Sequence, residues 1–251
     1  MNRIGFIGTG HIAAPMVRRM VRLGHEVIVT ERNKDVSAEL VKSVGVSIGS
    51  AQDVIDASDI VFICLRPAVA ADILRDLTFR ADQRIISVMA ELSQADLREI
   101  CAPANDITRT IPFGFVEQGG CPLPVWGDAD LIETLFGPDN IILPMTQEDG
   151  LNAILTASAV MASHLDLMQS VAEWTSSTLQ DKATGETYIK HLVTGFLKNM
   201  PTHTGALAEE RDALTLPGSL NQHVMHSLRS AGVDATLTSS LEDVYKRLTS
   251  T

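Results

Sequence analysis

Ile4-Gly5-Phe6-Ile7-Gly8-Thr9-Gly10-His11-Ile12-Ala13 decides how the rest of this chain is read. The run Ile4 to Ile7 is apolar throughout, as a parallel strand covered by helices on both faces requires. Gly8 to Ala13 then fits G-x-G-x-x-[GA] at the junction of that strand with a helix. There the first glycine permits a tight turn, the second lets backbone approach a pyrophosphate, and Ala13 lets the helix pack closely, while the helix N-terminus faces the negative charge. Gly8, Thr9, Gly10, His11 and Ile12 are accordingly candidate contacts to a dinucleotide.

The pattern continues outward from this loop. Ile12 to Leu23 places Ile12, Ala13, Met16, Val17, Met20 and Leu23 on one half of a helical wheel, and Gly24 supplies a left-handed stop. Arg18, Arg19 and Arg22 lie opposite and read as solvated cations complementing the negative end of the helix. Further strand-like runs, Glu26 to Thr30, Asp59 to Cys64, Arg84 to Val88, Asp106 to Ile111 and Ile141 to Leu143, alternate with helical patterns, the rhythm of βαβ units. From about Asp149 the pattern is nearly all helix: Gly150 to Thr178, Gly185 to Met200, Gly205 to Leu214, Ser219 to Arg229 and Ser240 to Leu248. The last of these carries its own start signal, Ser239 with Glu242 three positions on. The expectation is a Rossmann-type doubly wound α/β domain over residues 1–148, followed by an all-α domain over 149–251. The apolar helix around Leu151 to Leu167 has more hydrophobic surface than a small helical domain covers alone, which points to a partner subunit; the alternative is an ordinary buried core helix.

Composition excludes several function classes. In 251 residues, 45% are hydrophobic and 20% charged, too apolar for a disordered chain, and no 18-residue uncharged run is present to span a bilayer. Acidic residues outnumber basic ones by 31 to 20, and the resulting charge of −11 is unfavourable for binding nucleic acid. Cys64, Cys101 and Cys121 are too few and wrongly spaced for a disulfide framework or a thiolate metal site. With no export signal at the start, the expected compartment is a reducing cytoplasm.

The second strand ends Val29-Thr30-Glu31-Arg32-Asn33. An acidic residue at that point accepts the ribose hydroxyls of NAD, whereas a basic one pairs with the 2′-phosphate of NADP. Glu31 and Arg32 offer both, with Asn33 beside them, so the reading is NADP or NAD.

The order of landmarks along nearly the whole chain resembles the pyrroline-5-carboxylate reductase family. The resemblance rests on Gly5 to Ala13; on Ser58-Asp59-Ile60-Val61-Phe62-Ile63-Cys64-Leu65-Arg66-Pro67; on Ser87-Val88-Met89-Ala90; on Arg109-Thr110-Ile111-Pro112 followed by Gly119-Gly120; and on Leu216-Pro217-Gly218-Ser219. It implies an N-terminal dinucleotide-binding domain, a C-terminal helical dimerisation domain forming a homodimer, and hydride transfer from NAD(P)H to a cyclic imine, the chemistry of proline biosynthesis. It also implies that Leu65, Arg66, Pro67, Met89 and Ala90 line the cofactor path beyond the pyrophosphate. The first domain also resembles the β-hydroxyacid dehydrogenases, but those enzymes use a lysine on the interdomain helix, and Leu151 to Trp174 contains none.

Departures from the reductase pattern fall where substrate chemistry would sit. Ile111-Pro112-Phe113-Gly114-Phe115 puts an aromatic ring where the family has an amide. Ala157-Ser158-Ala159-Val160-Met161-Ala162 keeps only the serine of the interdomain helix, and Pro217-Gly218-Ser219-Leu220-Asn221 puts an amide at the second hydroxyl position. The candidate catalytic residues are Asn221, Ser219 and Ser158. Ser219 and Asn221 open a helix and read either as a carboxylate site or as a plain cap. Asn221 can donate a hydrogen bond but cannot relay a proton. His223 and His226, three apart on one helix, have no carboxylate or cysteine near them and read as surface residues, so no metal is expected. His164 is either a core histidine or a pocket-lining acid, and Cys121 reads as inert. The functional expectation is an NAD(P)-dependent oxidoreductase acting on the C=N or C=O bond of a small carboxylate-bearing molecule. The alternative is a dinucleotide-binding sensor or partner module without turnover.

Overall fold

The computed structural model describes residues 2–31 and 33–250, with Pro67 described by its backbone alone. The chain falls into two compact units, Met1–Leu155 and Thr156–Ser250. The division lies seven residues beyond the 148/149 boundary expected from sequence, within a helix rather than ahead of it.

The first unit runs β1 (Arg3–Ile7), α1 (Ala13–Arg22), β2 (Glu26–Thr30), α2 (Lys34–Val44), β3 (Ser47–Gly49), α3 (Ala51–Asp56), β4 (Ile60–Ile63), α4 (Pro67–Arg75), β5 (Arg84–Ser87), α5 (Gln94–Ile100), β6 (Asp106–Thr110), β7 (Pro122–Trp126), α6 (Ala129–Phe136), β8 (Ile141–Pro144) and the start of α7 (Gly150–Ser158). Its eight strands form one sheet in the order β3-β2-β1-β4-β5-β6-β7-β8. All neighbours are parallel except β6 and β7. Helices cover both faces. One core gathers Phe6, Phe62 and Ile86 under Met16 and Met20 of α1 and Leu135 and Phe136 of α6; the other gathers Ile7, Val61 and Ile85 under Ile55, Leu74 and Leu97 of α3, α4 and α5. Phe6 stacks on Phe62 with ring centroids 4.6 Å apart, and Phe136 meets Phe62 edge-on. This is the doubly wound α/β architecture expected from the sequence.

Two strands are absent from the sequence reading. β3 is only Ser-Ile-Gly, and β7 contains Pro122 and Pro124, which ordinarily punctuate a strand. The prolines are tolerated because β6 pairs only with Val125 and Trp126, so neither proline is asked for a ladder hydrogen bond on that side. The stop of α1 is as read: Gly24 has φ +82°, its N–H donates to Val21 O at 2.9 Å, and His25 N donates to Met20 O at 3.1 Å. Arg19, however, is not solvated. It is 2% exposed, and its guanidinium donates to the carbonyls of Leu135, Phe136 and Gly137 at the end of α6.

The second unit continues with α8 (Met161–Leu179), α9 (Lys182–Asn199), α10 (Ala206–Leu214), α11 (Leu220–Ser230) and α12 (Val233–Thr249). The single helix expected from Gly150 to Thr178 is broken between α7 and α8, where Ala159 N→Thr156 O and Val160 N→Ala157 O tighten the turn. Gly150–Leu179 has the length and composition of a membrane span, at a mean hydropathy of 1.2, but is two helices here. Gly185 lets α9 cross α8 closely: a Cβ there would meet Ala172 O at 2.3 Å. The start expected at Ser239 is overturned. α12 begins seven residues earlier, after Gly232 at φ +81°, and Ser239 lies inside it. Hydroxyls there bond back to carbonyls one turn earlier, as Thr238 does to Asp234 and Ser240 to Thr236, and the helix absorbs them without stopping.

The alternative of a buried core helix also fails. Leu151 is buried, but Met161, Leu165 and Leu167 are exposed, and Ala172 is the one buried residue of α8.

Candidate functional site

β1 and β4 lie side by side at the point where the sheet's order reverses, the place where open α/β sheets bind ligands beyond the carboxyl ends of their strands. The helix starts distinguish this point from the rest of the unit. Side chains of Asn33, Ser50, Ser93 and Asp128 cap α2, α3, α5 and α6. α1 and α4, which follow β1 and β4, have no side-chain cap and no acidic residue in the first turn. In these first turns Pro15 and Pro67 carry no N–H, Ala14 N donates to Gly10 O at 3.0 Å and Val69 N to Arg66 O at 3.1 Å, so the N–H groups of Ala13 and Ala68 are the ones left for an outside acceptor, and an anion is what a helix N-terminus accepts best.

The glycine loop is shaped by two different demands. Gly8 has φ +95°, and a Cβ on it would meet Cys64 O at 2.5 Å. Its N–H donates to Thr30 Oγ1 at 2.9 Å, and Thr9 Oγ1 donates to Thr30 O at 2.6 Å, so the loop is tied to the end of β2. Thr9 is thereby buried and its side chain spent on the fold. Gly10 is the reverse: no atom lies within 4 Å of where its Cβ would stand. Nothing in the protein requires glycine there, and the open space fits the close approach of a diphosphate. His11 and Ile12 are exposed beside it.

A cleft of about 500 Å³ opens from this loop along Thr30, Glu31, Gly49, Ser50 and Leu65. That is within the range of small-molecule sites. Of the three residues read after β2, Glu31 lines this cleft, Asn33 is the cap of α2 with its Oδ1 accepting from Val36 N at 3.3 Å, and Arg32 lies outside the described residues. Arg66 is exposed at the cap position of α4 and Pro67 occupies its first turn.

Met89 points its side chain into the second core, so what it and Ala90 present beyond β5 is backbone. That backbone is held by a residue to which the sequence reading assigned no role. Arg109, on β6 and 5% exposed, donates from Nη2 to Ala90 O at 2.7 Å and Met89 O at 3.4 Å, and its Nη1 pairs with Glu148. Glu148 also accepts from Gln94 N at 2.5 Å. The available signal was a charge inside a strand flanked by buried residues, where it needs a partner.

The aromatic departure sits at the same edge of the sheet. Phe113, after β6, packs against the first core, as Cys64 and Val88 do, and stacks on exposed Phe115 at 5.8 Å. Burial pushes all three thiols up, Cys101 to about 12, so Cys121 is inert as read.

In the helical unit, Ser158 ends α7 and is partly buried. Ser219 caps α11: its Oγ accepts from Gln222 N at 3.1 Å and donates to Leu214 O at 3.2 Å, while Gly218 N donates to Gln222 Oε1 at 2.8 Å. Ser219 thus acts as the cap of α11. Asn221 is exposed in the first turn. His164 is not a core residue; it is exposed, with Nδ1 3.0 Å from Val160 O. His223 and His226 are exposed, and no cluster able to hold a metal occurs among the described residues.

Comparison with known proteins agrees with this geometry. Residues 3–91 match the family described as NADP oxidoreductase, coenzyme F420-dependent. A stretch of 61 residues is 41% identical to 2-hydroxy-3-oxopropionate reductase of Escherichia coli, covering 24% of this chain and 20% of that enzyme. The chain thus spans about a fifth of that relative's length. Over the whole chain the fold is that of pyrroline-5-carboxylate reductases. The enzyme from Streptococcus pyogenes superposes with a TM-score of 0.86 at 20% identity, covering 100% of this chain and 99% of that one. Plasmodium falciparum pyrroline carboxylate reductase with NADP bound gives 0.84 at 14% identity, covering 99% and 97%. A reductive aminase from Aspergillus terreus in complex with NADPH and ethyl-5-oxohexanoate gives 0.61 at 15% identity, covering 99% and 91%.

Proposed function

We propose that this protein is an NAD(P)H-dependent reductase acting on the C=N bond, or the C=O bond, of a small carboxylate-bearing substrate. The observation that carries the reading is the β1–β4 crevice, where two helices begin without side-chain caps and Gly10 leaves open space over the loop between strand and helix. The match of residues 3–91 to an NADP oxidoreductase family supports it, as do the NADP and NADPH bound to similarly folded reductases.

The nicotinamide, when bound, supplies the hydride. The chain's own part is binding and orientation. The Ala13 N–H at the start of α1 and the open side of Gly10 would hold the diphosphate, Glu31 in the cleft would take the ribose, and the backbone of Leu65 to Pro67 and of Met89 and Ala90 would flank the path beyond. In the helical unit, the Leu220 and Asn221 N–H groups at the start of α11, with the Asn221 side-chain amide, are the substrate-carboxylate site, Ser219 serving that site by capping the helix through Gln222 N; the Ser158 hydroxyl at the end of α7 is a further polar contact to the substrate. Asn221 donates without relaying a proton, so an imine arrives protonated or takes its proton from water. A homodimer joined through the helical unit belongs to this reading; Leu165, Trp174 and Leu220, exposed by 59%, 70% and 87%, support it.

The test is consumption of NADPH and NADH on adding 1-pyrroline-5-carboxylate, with Asn221→Thr beside the unaltered protein. Turnover in both supports the reading with that imine as substrate. Turnover gained only in N221T puts the substrate choice at the start of α11. Tight cofactor binding with no turnover across imines, ketones and hydroxyacids overturns the reading in favour of a dinucleotide sensor.

A further inference from the structure

Segment 88–93 leaves the carboxyl end of β5 with no regular structure of its own, yet it is tied down from three sides. Arg109 takes the carbonyls of Met89 and Ala90; its partner Glu148 accepts from Gln94 N; and Gln94 Nε2 returns to Ile107 O at 2.6 Å. The ring of contacts thus starts on β6, passes through the loop to the start of α5, and closes on β6. The Arg109 guanidinium is buried and its partner Glu148 half-buried, and such a pair, which must be desolvated to form, is weak evidence of a stabilising purpose. It does fix orientation. A trans peptide is planar, and its N–H points opposite to its C=O. With the carbonyls of Met89 and Ala90 turned in to the guanidinium, the N–H groups of Ala90 and Glu91 are turned away from it, and neither donates to any acceptor among the described residues.

We propose that Arg109 and Glu148 are positioning residues for the nicotinamide end of the cofactor. They hold the Ala90 and Glu91 N–H groups outward as paired donors for an amide oxygen, the acceptor a nicotinamide carboxamide carries. The proposal rests on reading the β1–β4 crevice as a site for NAD(P)(H). Lysine at 109 keeps the charge but not the planar fork that reaches two carbonyls and a carboxylate together.

The experiment compares the whole cofactors with fragments lacking nicotinamide. Binding of NADPH and NADH, and of 2′-phospho-ADP-ribose and ADP-ribose, is measured by calorimetry on the unaltered protein, Arg109→Lys and Glu148→Gln, with the fluorescence of the bound reduced nicotinamide as a second readout. R109K is expected to weaken the whole cofactor by about tenfold and the fragment by less than about twofold, and to return the nicotinamide emission toward its free value. E148Q keeps an oxygen for Gln94 N and is expected to shift the same readouts in the same direction by less. Equal losses for cofactor and fragment, or no loss for either, overturn the proposal. Should R109K fail to fold, E148Q decides by the same comparison. An unaltered protein that binds neither ligand refutes the crevice reading first, an outcome distinct from a protein that binds both equally well, which refutes only the positioning role.

Discussion

The backbone of Gly8 passes so close to Cys64 that a Cβ on the glycine would stand 2.5 Å from the cysteine's carbonyl oxygen, whereas two residues on, Gly10 faces nothing within 4 Å. The two glycines therefore serve different masters, the fold and the ligand. Gly8→Ala forces a side chain into the left-handed region against rigid backbone and is expected to cost about 3 kcal/mol or more. Gly10→Ala is expected to leave urea unfolding unchanged and to reduce dinucleotide affinity by about tenfold or more. A stable G8A, or a G10A that binds as before, would contradict this division.

Arg19 joins α1 to the end of α6 from a buried position, taking Leu135 O at 3.2 Å, Phe136 O at 2.7 Å and Gly137 O at 3.1 Å. Arg19→Met leaves those carbonyls without their donor and is expected to destabilise by about 3 kcal/mol in denaturant unfolding. Asp139 also pairs with Arg19, but its side chain is 63% exposed, so Asp139→Asn is expected to cost less than about 1 kcal/mol. Comparable losses in the two variants would place the stabilisation in the ion pair instead of the helix end.

Cys101 and Cys121 are buried free thiols and Cys64 a half-buried one, and desolvation raises all three above the usual thiol range. At about pH 8 the native protein should resist an alkylating reagent that modifies every cysteine once denaturant is added. Rapid native-state labelling, located by mass spectrometry, would expose an opening motion at the labelled residue.

Asp128 caps α6 by accepting from Leu131 N at 2.8 Å and pairs with Arg84 Nη2 at 2.5 Å; the Leu131 N–H and the guanidinium hold its carboxyl below the usual range. With the folded value depressed, its contribution is fully present above the unfolded value of about 3.9 and is lost as the pH falls through the folded one. Asp128→Asn should therefore be less stable than the unaltered protein near neutrality by less than about 1 kcal/mol, with the gap closing below about pH 4. A gap that persists in acid would assign the effect to packing.

What could be read in advance was what is decided within a few residues. The glycine loop, the stop at Gly24 and the apolar runs of β1 and β4 declare themselves locally. β7 did not, because its legitimacy depends on which residues of β6 it pairs with, and Pro122 and Pro124 argue against a strand to anyone who cannot see the register. Ser239 misled for the opposite reason: a local capping pattern is present, but Gly232 had already started the helix. The Arg109–Glu148 pair is 39 residues apart in sequence, and only the fold makes them neighbours. In the helical unit, the bonds that make Ser219 a cap, from Gln222 N and to Leu214 O, came into view only with the fold.

The cradle at the β1–β4 crevice is made largely of main chain: the amides of Ala13 and Ala68 at two helix starts and a glycine with no side chain. Such a site makes few demands on the identity of its neighbours, so lineages can rewrite almost everything around it while inheritance of the cradle continues undisturbed. It also means that side chains such as Phe113 can be exchanged without altering the main chain that forms the cradle.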